Sequence, residues 1–336
     1  GSPPANFFLT ESELAPDVLP DNQGDLPSDN RNNRYNPGKV GDPTYLLKNE
    51  IREIVTSSQG FQNPGTSEGV DYAKLENARK LNQNEFTFHP QLGYISLQQR
   101  LANDEVLAVA YQYTVGDKVY QVGEFGTDGV ESTSISGTQE NPNVSTNSLI
   151  LKMLKSSLTN VNAPIWNLMM KNIYQIPGGY QLQQEDFKLN ILYTDPSPLN
   201  YITAVDPNVL DLPNDVKNTP LLKVFDLDQL NYTNDPQEGG DGFFDFVPGL
   251  TVDTQNGRLI FTTVEPFGKH LFSKLSTGGE DYDVEATYND NQSKYVFKNM
   301  YASTQAGALQ NAEKNKFQLR GRYKGTGGDG IPIGGF

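Results

Sequence analysis

The chain has no cysteine, two histidines, one tryptophan and a minority of bases, with Lys and Arg together 26 against 41 Asp and Glu. The lack of cysteine excludes thiolate metal sites, disulfides and cysteine nucleophiles, and leaves the compartment open. Two histidines leave little room for imidazole chemistry: His89 and His270 each lack a motif-spaced serine, acid or metal ligand. No Gly-x-Ser-x-Gly elbow supplies a nucleophile. The formal net charge of −15 repels nucleic acid and anionic membrane surfaces. No apolar run reaches the ~18 residues a membrane-spanning helix needs, and no stretch has the shape of a signal peptide. Gly1-Ser2 resembles the remnant of a cleaved expression tag, so the chain is expected to be excised from something longer.

What is present is aromatic and β-prone. Of the 336 residues 36% are hydrophobic, and Phe and Tyr, 17 each, carry much of the core-forming surface. The organising stretch is Leu250–Phe261. Leu250-Thr251-Val252 alternates apolar and polar, Thr254-Gln255-Asn256-Gly257 is turn chemistry, and Leu259-Ile260-Phe261 returns. Phe86–Leu97 matches it without gaps: Phe86 falls on Leu250, Thr87 on Thr251, Gln91 on Gln255, Gly93 on Gly257 and Leu97 on Phe261. Two related hairpins are therefore expected.

The fold class read from this pattern is α+β, rich in strands, with several packed helices and long loops. Residues 1–42, low in apolar content, read as a disordered linker or arm. Residues 43–145 read as a first, hairpin-containing α+β subdomain, 146–324 as a second subdomain of helices and a hairpin, and 325–336 as a Gly-rich connector. Helices are expected over 43–57, 71–82, two between 146 and 174, 219–230, around Leu271–Leu275, and around Tyr295–Tyr301. Besides the hairpins, strands are expected over 106–115, 119–122, 180–184, 187–193 and 317–323, with 123–145 as loop.

Among candidate sites, Asp226, Asp228, Asp235 and Asp241 crowd a turn-rich stretch that offers oxygen ligands to calcium, though without EF-hand spacing. Capping and turn roles are the favoured account of them, with structural calcium the lesser one. Paired carboxylates for glycoside hydrolysis cannot be picked from 41 acids by sequence. Gly325–Gly330 lacks the Gly-Lys-Ser/Thr of a phosphate loop. Lys314, Lys316, Arg320, Arg322 and Lys324 form the basic cluster, and on an alternating strand Arg320, Arg322 and Lys324 share one face; a solvated face is the favoured account, with the acidic surface of the same protein or an anionic partner as alternatives. No catalytic, cofactor-binding or metal residue is assigned.

Several ordered phrases carry a family resemblance: Gly93-Tyr94-Ile95-Ser96-Leu97, Asp104 through Thr114, Gly123-Glu124-Phe125-Gly126-Thr127-Asp128-Gly129, and Trp166 through Tyr174. Tyr180-Gln181-Leu182-Gln183, Phe244-Asp245-Phe246 and Asn256-Gly257-Arg258 continue it. Over about residues 43–336 the chain resembles the SprA/Sov family of Bacteroidetes cell-surface proteins, linked to gliding motility and type 9 secretion. The resemblance implies a piece of a very long outer-membrane β-barrel translocon that exports folded cargo. It implies as partners the rest of that translocon, a plug protein, a small outer-membrane barrel subunit and secreted cargo, and no enzyme activity. The piece lacks serial barrel strands, so it is expected to be a non-spanning capping, gating or docking module, on the cell-surface side or else the periplasmic one. A calcium- or glycan-binding surface module is the alternative.

Overall fold

The computed structural model describes residues 40–323, apart from Thr44, Leu46, Asn63, Pro64, Asn77, Gly116, Asp117, 127–132, 139–140, Asn147 and Asp186. The expected arm up to residue 39 and the Gly-rich connector lie outside the described residues. In chain order the strands are β1 (Phe86–His89), β2 (Tyr94–Leu97), β3 (Leu107–Val109), β4 (Tyr111–Val115), β5 (Lys118–Val122), β6 (Thr133–Thr138) and β7 (Asn141–Thr146). There follow β8 (Lys152–Lys155), β9 (Ile173–Gln175), β10 (Lys188–Tyr193), β11 (Val252–Asp253), β12 (Arg258–Ile260) and β13 (Phe317–Arg322). The helices are short: α1 (Leu221–Val224), α2 (Leu271–Lys274), α3 (Asp290–Tyr295) and α4 (Gln305–Gln310). The class is α+β, with small sheets joined by long loops.

The chain divides into two compact units, each discontinuous: one of residues up to 85 plus 97–169, the other of 86–96 plus 170 onward. In the first, β3 pairs with β8, β4 with β5 and β6 with β7, all antiparallel. A small core gathers Tyr45, Leu47, Ile51, Phe61, Tyr72 and Ile150. Beside it Arg52 grips Glu124 with both carboxylate oxygens at 2.6 and 2.7 Å. Glu124 is 4% exposed and also accepts the Ile150 amide at 2.9 Å.

In the second unit β10 and β13 form an antiparallel ribbon, and β11–β12–β9 a three-stranded sheet. Strict alternation buries Leu189, Ile191 and Tyr193 of β10 against the core while Lys188 and Asn190 face solvent. Phe267 anchors that core, its ring 5.0 Å from Phe225, 5.4 Å from Phe261 and 4.9 Å from Phe317. The start of α3 is fixed by a capping box, in which Asn289 and Gln292 satisfy each other's backbone amides.

Both hairpins form as expected, and so do β10, β13 and the helical run at 266–274. Several expected elements do not. The 43–57 helix is replaced by two 3-10 turns, Asn49–Arg52 and Ser57–Gln59, because Leu47 bridges back to Phe61 and Lys48 donates to the Gly60 carbonyl. The described part of 71–82 is not helical; Tyr72 instead bridges Glu68 and packs on Phe61 at 4.6 Å. The loop expected over 123–145 contains the β6–β7 hairpin, consistent with its β-branched Thr, Ile and Val. The helix expected after Thr146 is the strand β8, since its apolar spacing suits either period and β3 needs a ladder partner. The next is a 3-10 turn, Pro164–Leu168, after which Ile173 and Tyr174 are drawn into β9 by β12. Residues 180–184 are not a strand: Gln181 has φ +47° and the Leu182 amide donates to Thr254. Residues 106–115 split into β3 and β4, which take different partners. The 219–230 helix stops after one turn at Asp226, φ +55°, and α3 ends at Tyr295.

Candidate functional site

The two related hairpins belong to the second unit and touch there through their turn-proximal residues. Gly93 and Gly257 occupy equivalent places with φ +68° and +62°, the left-handed backbone their tight turns require. Arg258 donates to the Ser96 hydroxyl, and its Nε lies 3.4 Å from Gln175 Oε1. The His89 ring stacks on Tyr94, centroids 4.2 Å apart and 11° from parallel. Burial raises the Tyr94 phenol, the negative Asp253 adds to that, and Arg258 opposes it. Neither His89 Nε2 nor the Tyr94 hydroxyl, both buried, has a hydrogen-bond partner. His89 is thus a packing residue of the hairpin seam, with no serine or carboxylate aligned on its ring.

His270 closes the turn Pro266–His270. Its Nε2 lies 2.7 Å from the Val224 carbonyl, which makes that nitrogen the donor, and 3.7 Å from Asp226 Oδ2. Lys274 Nζ stands 3.4 Å from the other Asp226 oxygen. The nearby Ser273 hydroxyl donates to the Lys269 carbonyl. The group therefore balances charge at the end of α1, and a nucleophile–base–acid relay is not assembled there.

The aspartates of the expected cluster are turned to bracing their own loop. Asp228 accepts the amides of Asp241 and Gly242 at 2.9 and 3.2 Å, while Asp245 accepts those of Gln229 and Leu230 at 2.7 and 3.1 Å. Asp235 takes the Thr233 hydroxyl, and Asp241 the Phe243 amide. Asp228 and Asp245 thus brace one loop from both sides, each holding the segment that carries the other, while Asp235 and Asp241 close local turns. Burial nonetheless holds Asp228 and Asp245 above the usual carboxylate range, the amide bonds pulling the other way. Among the described residues no three His, Asp or Glu side chains converge as a metal shell.

The basic strand holds its expected face. Arg320 and Arg322 project from the solvent side of β13, and Lys324 lies outside the described residues. Register adds what sequence spacing missed: Lys188 of β10 stands directly opposite Arg322, and Asn190 opposite Arg320. The available signal was the strict alternation of 187–193, which puts Lys188 on the polar side. Also missed is a half-buried polar knot in which Tyr282 donates to Glu265 at 2.7 Å, beside the buried Tyr301, which accepts the Phe267 amide at 3.0 Å. Desolvation raises both phenols far above their ordinary value, which keeps them neutral hydrogen-bond donors. Among the described residues no helix is long and apolar enough to cross a membrane.

No family model matches the chain, and no curated protein matches it.

Proposed function

We propose that the chain is a non-catalytic module of an outer-membrane protein-secretion translocon of the type 9 class, serving to cap, gate or dock beside the pore. The observation that carries this reading is where the phrases shared with the SprA/Sov family fall. Trp166–Tyr174 and Asn256–Arg258 are far apart in sequence, yet β9 and β12 lie side by side, with Tyr174 opposite Leu259. Leu182, Phe244 and Phe246 from two further phrases lie in the core of the same unit, with Tyr174 packed against it. These shared residues thus contribute to the scaffold of the second unit, while Asp104–Thr114 and Gly123–Gly126 belong to the first. The histidine and aspartate geometry supports a non-catalytic role, because the acids serve backbone turns and neither imidazole faces a nucleophile. On this reading the module lies on the cell-surface side of the outer membrane, and its partners are the remainder of the translocon, its plug and small barrel subunits, and cargo. Deleting the module from the full-length protein and measuring cargo release decides the matter: impaired release is expected, and unchanged release rejects the role.

A further inference from the structure

The β10–β13 ribbon carries charge of the wrong sign for this molecule. In a chain of net charge −15, its solvent face presents Lys188, Arg320 and Arg322, all exposed. Lys188 and Arg322 are direct cross-strand partners, an arrangement of like charges that costs stability in an antiparallel pair. Among the described residues none of the three forms an ion pair. Arg320 donates to Gln318 Oε1, two residues back on the same face, at 2.9 Å. The strands can approach closely enough to set this register because position 321 is glycine, where a Cβ would stand 2.0 Å from the Lys188 carbonyl oxygen.

We propose that this face is a docking surface for a short, extended, acidic segment of a partner protein, with carboxylates at alternate positions. Two arginines two residues apart on a strand have Cα atoms about 7 Å apart. Side chains at positions i and i+2 of an extended peptide repeat at the same spacing, and each arginine can meet a carboxylate in a two-pronged hydrogen bond. Lys188 adds a third, more mobile cation opposite Arg322 and draws relief from the same carboxylate.

Charge complementarity favours a short peptide over other anions. Beyond a Debye length of about 8 Å the patch is screened, and a longer polyanion meets the acidic remainder of the molecule. Nucleic acid and anionic bilayers extend well past that distance and are repelled, whereas a few alternating carboxylates sense only the patch. The surface stands on the ribbon's geometry alone and not on the secretion reading, so the cargo assay and the binding assay succeed or fail separately.

The test is fluorescence anisotropy of the intact chain with a labelled peptide in which Glu and Thr alternate. Binding at about 0.15 M salt, where the Debye length is about 8 Å, that weakens as salt is raised further is expected. The double variant Arg320→Glu with Arg322→Glu should weaken it by about tenfold or more, since surface pairs are each modest but act together here. Lys188→Gln should weaken binding a few-fold while raising Tm slightly, because the like-charge opposition is removed; a face that is merely solvated would show only the Tm change. Absent binding by the unaltered chain overturns the proposal, as does undiminished binding by a double variant with an unaltered circular dichroism spectrum. So does equally tight binding of an oligonucleotide or an anionic vesicle, or displacement of the peptide by self-association of the chain.

Discussion

Gly257 and Gly179 approach so closely that a Cβ added to Gly257 would lie 2.2 Å from the Gly179 carbonyl oxygen. The equivalent glycine of the sister hairpin, Gly93, has nothing within 4 Å of such an atom, yet a similar φ. The pair separates two reasons for glycine. Gly93→Ala should cost about 1 kcal/mol for the left-handed backbone alone. Gly257→Ala should cost distinctly more, because backbone must move as well. Urea unfolding of both variants checks this; equal losses would mean that the close approach relaxes freely.

The Arg52–Glu124 pair should be asymmetric. Arg52 is 25% exposed at its side chain, Glu124 only 4%. Arg52→Ala leaves a buried carboxylate short of its cation and should cost about 3 kcal/mol. Glu124→Gln keeps an acceptor for the Ile150 amide, and the freed guanidinium can turn to water, so about 1 kcal/mol is expected. Thermal denaturation of the two variants gives the order.

Glu280 gathers the hydroxyls of Thr277 and Ser276, the Asn289 amide group and the Thr277 backbone amide, the Thr277 hydroxyl having the largest effect, and its carboxyl is held well below the ordinary range. The folded state thus binds fewer protons than the unfolded one around and below the ordinary value of about 4.3. Its contribution is complete above that pH and is lost as pH falls through the window toward the depressed folded value. Melting temperature should drop with acidification through that window, and Glu280→Gln should flatten the drop.

Lys152 behaves in the opposite range. Burial pushes its ammonium down to about 7. Between pH 7 and the ordinary lysine value of about 10.4, the unfolded chain holds the proton and the folded chain releases it, so stability rises with pH. Lys152→Met should stabilise the protein at neutral pH and remove that rise; a slope unchanged by the substitution would place its source elsewhere.

The sequence made legible what depends on period-two alternation and on turn chemistry. The Leu189, Ile191, Tyr193 alternation marks β10, and the glycines at 93 and 257 mark the hairpins. It misled where a short apolar run satisfied two periods at once. Met153 and Leu154 fit a helical stripe, but the free ladder of β3 decided for strand. Leu47 likewise suited a helix until Phe61, distant in sequence, supplied a bridge. The basic face was half visible. Arg320 and Arg322 are neighbours in the chain, while Lys188 joins them only through register, which alternation cannot set between strands so far apart. The aspartates were read as a group because they are close in sequence; their use in bracing one loop depends on where Asp245 returns to meet Gln229 and Leu230.

The interleaving of the two units bears on how the chain is made. Residues 86–96 belong with 170 onward, and 97–169 belong with the segment before 86. A hairpin emerging early during synthesis must therefore wait, its seam residues Tyr94 and Ser96 uncovered, until Asp253 and Arg258 have been translated. A single cut anywhere in the interleaved region, 40–170, severs at least one unit, so neither can be obtained as one uninterrupted segment. A nick within either unit should therefore leave pieces held together by that unit's own fold, which limited proteolysis checks.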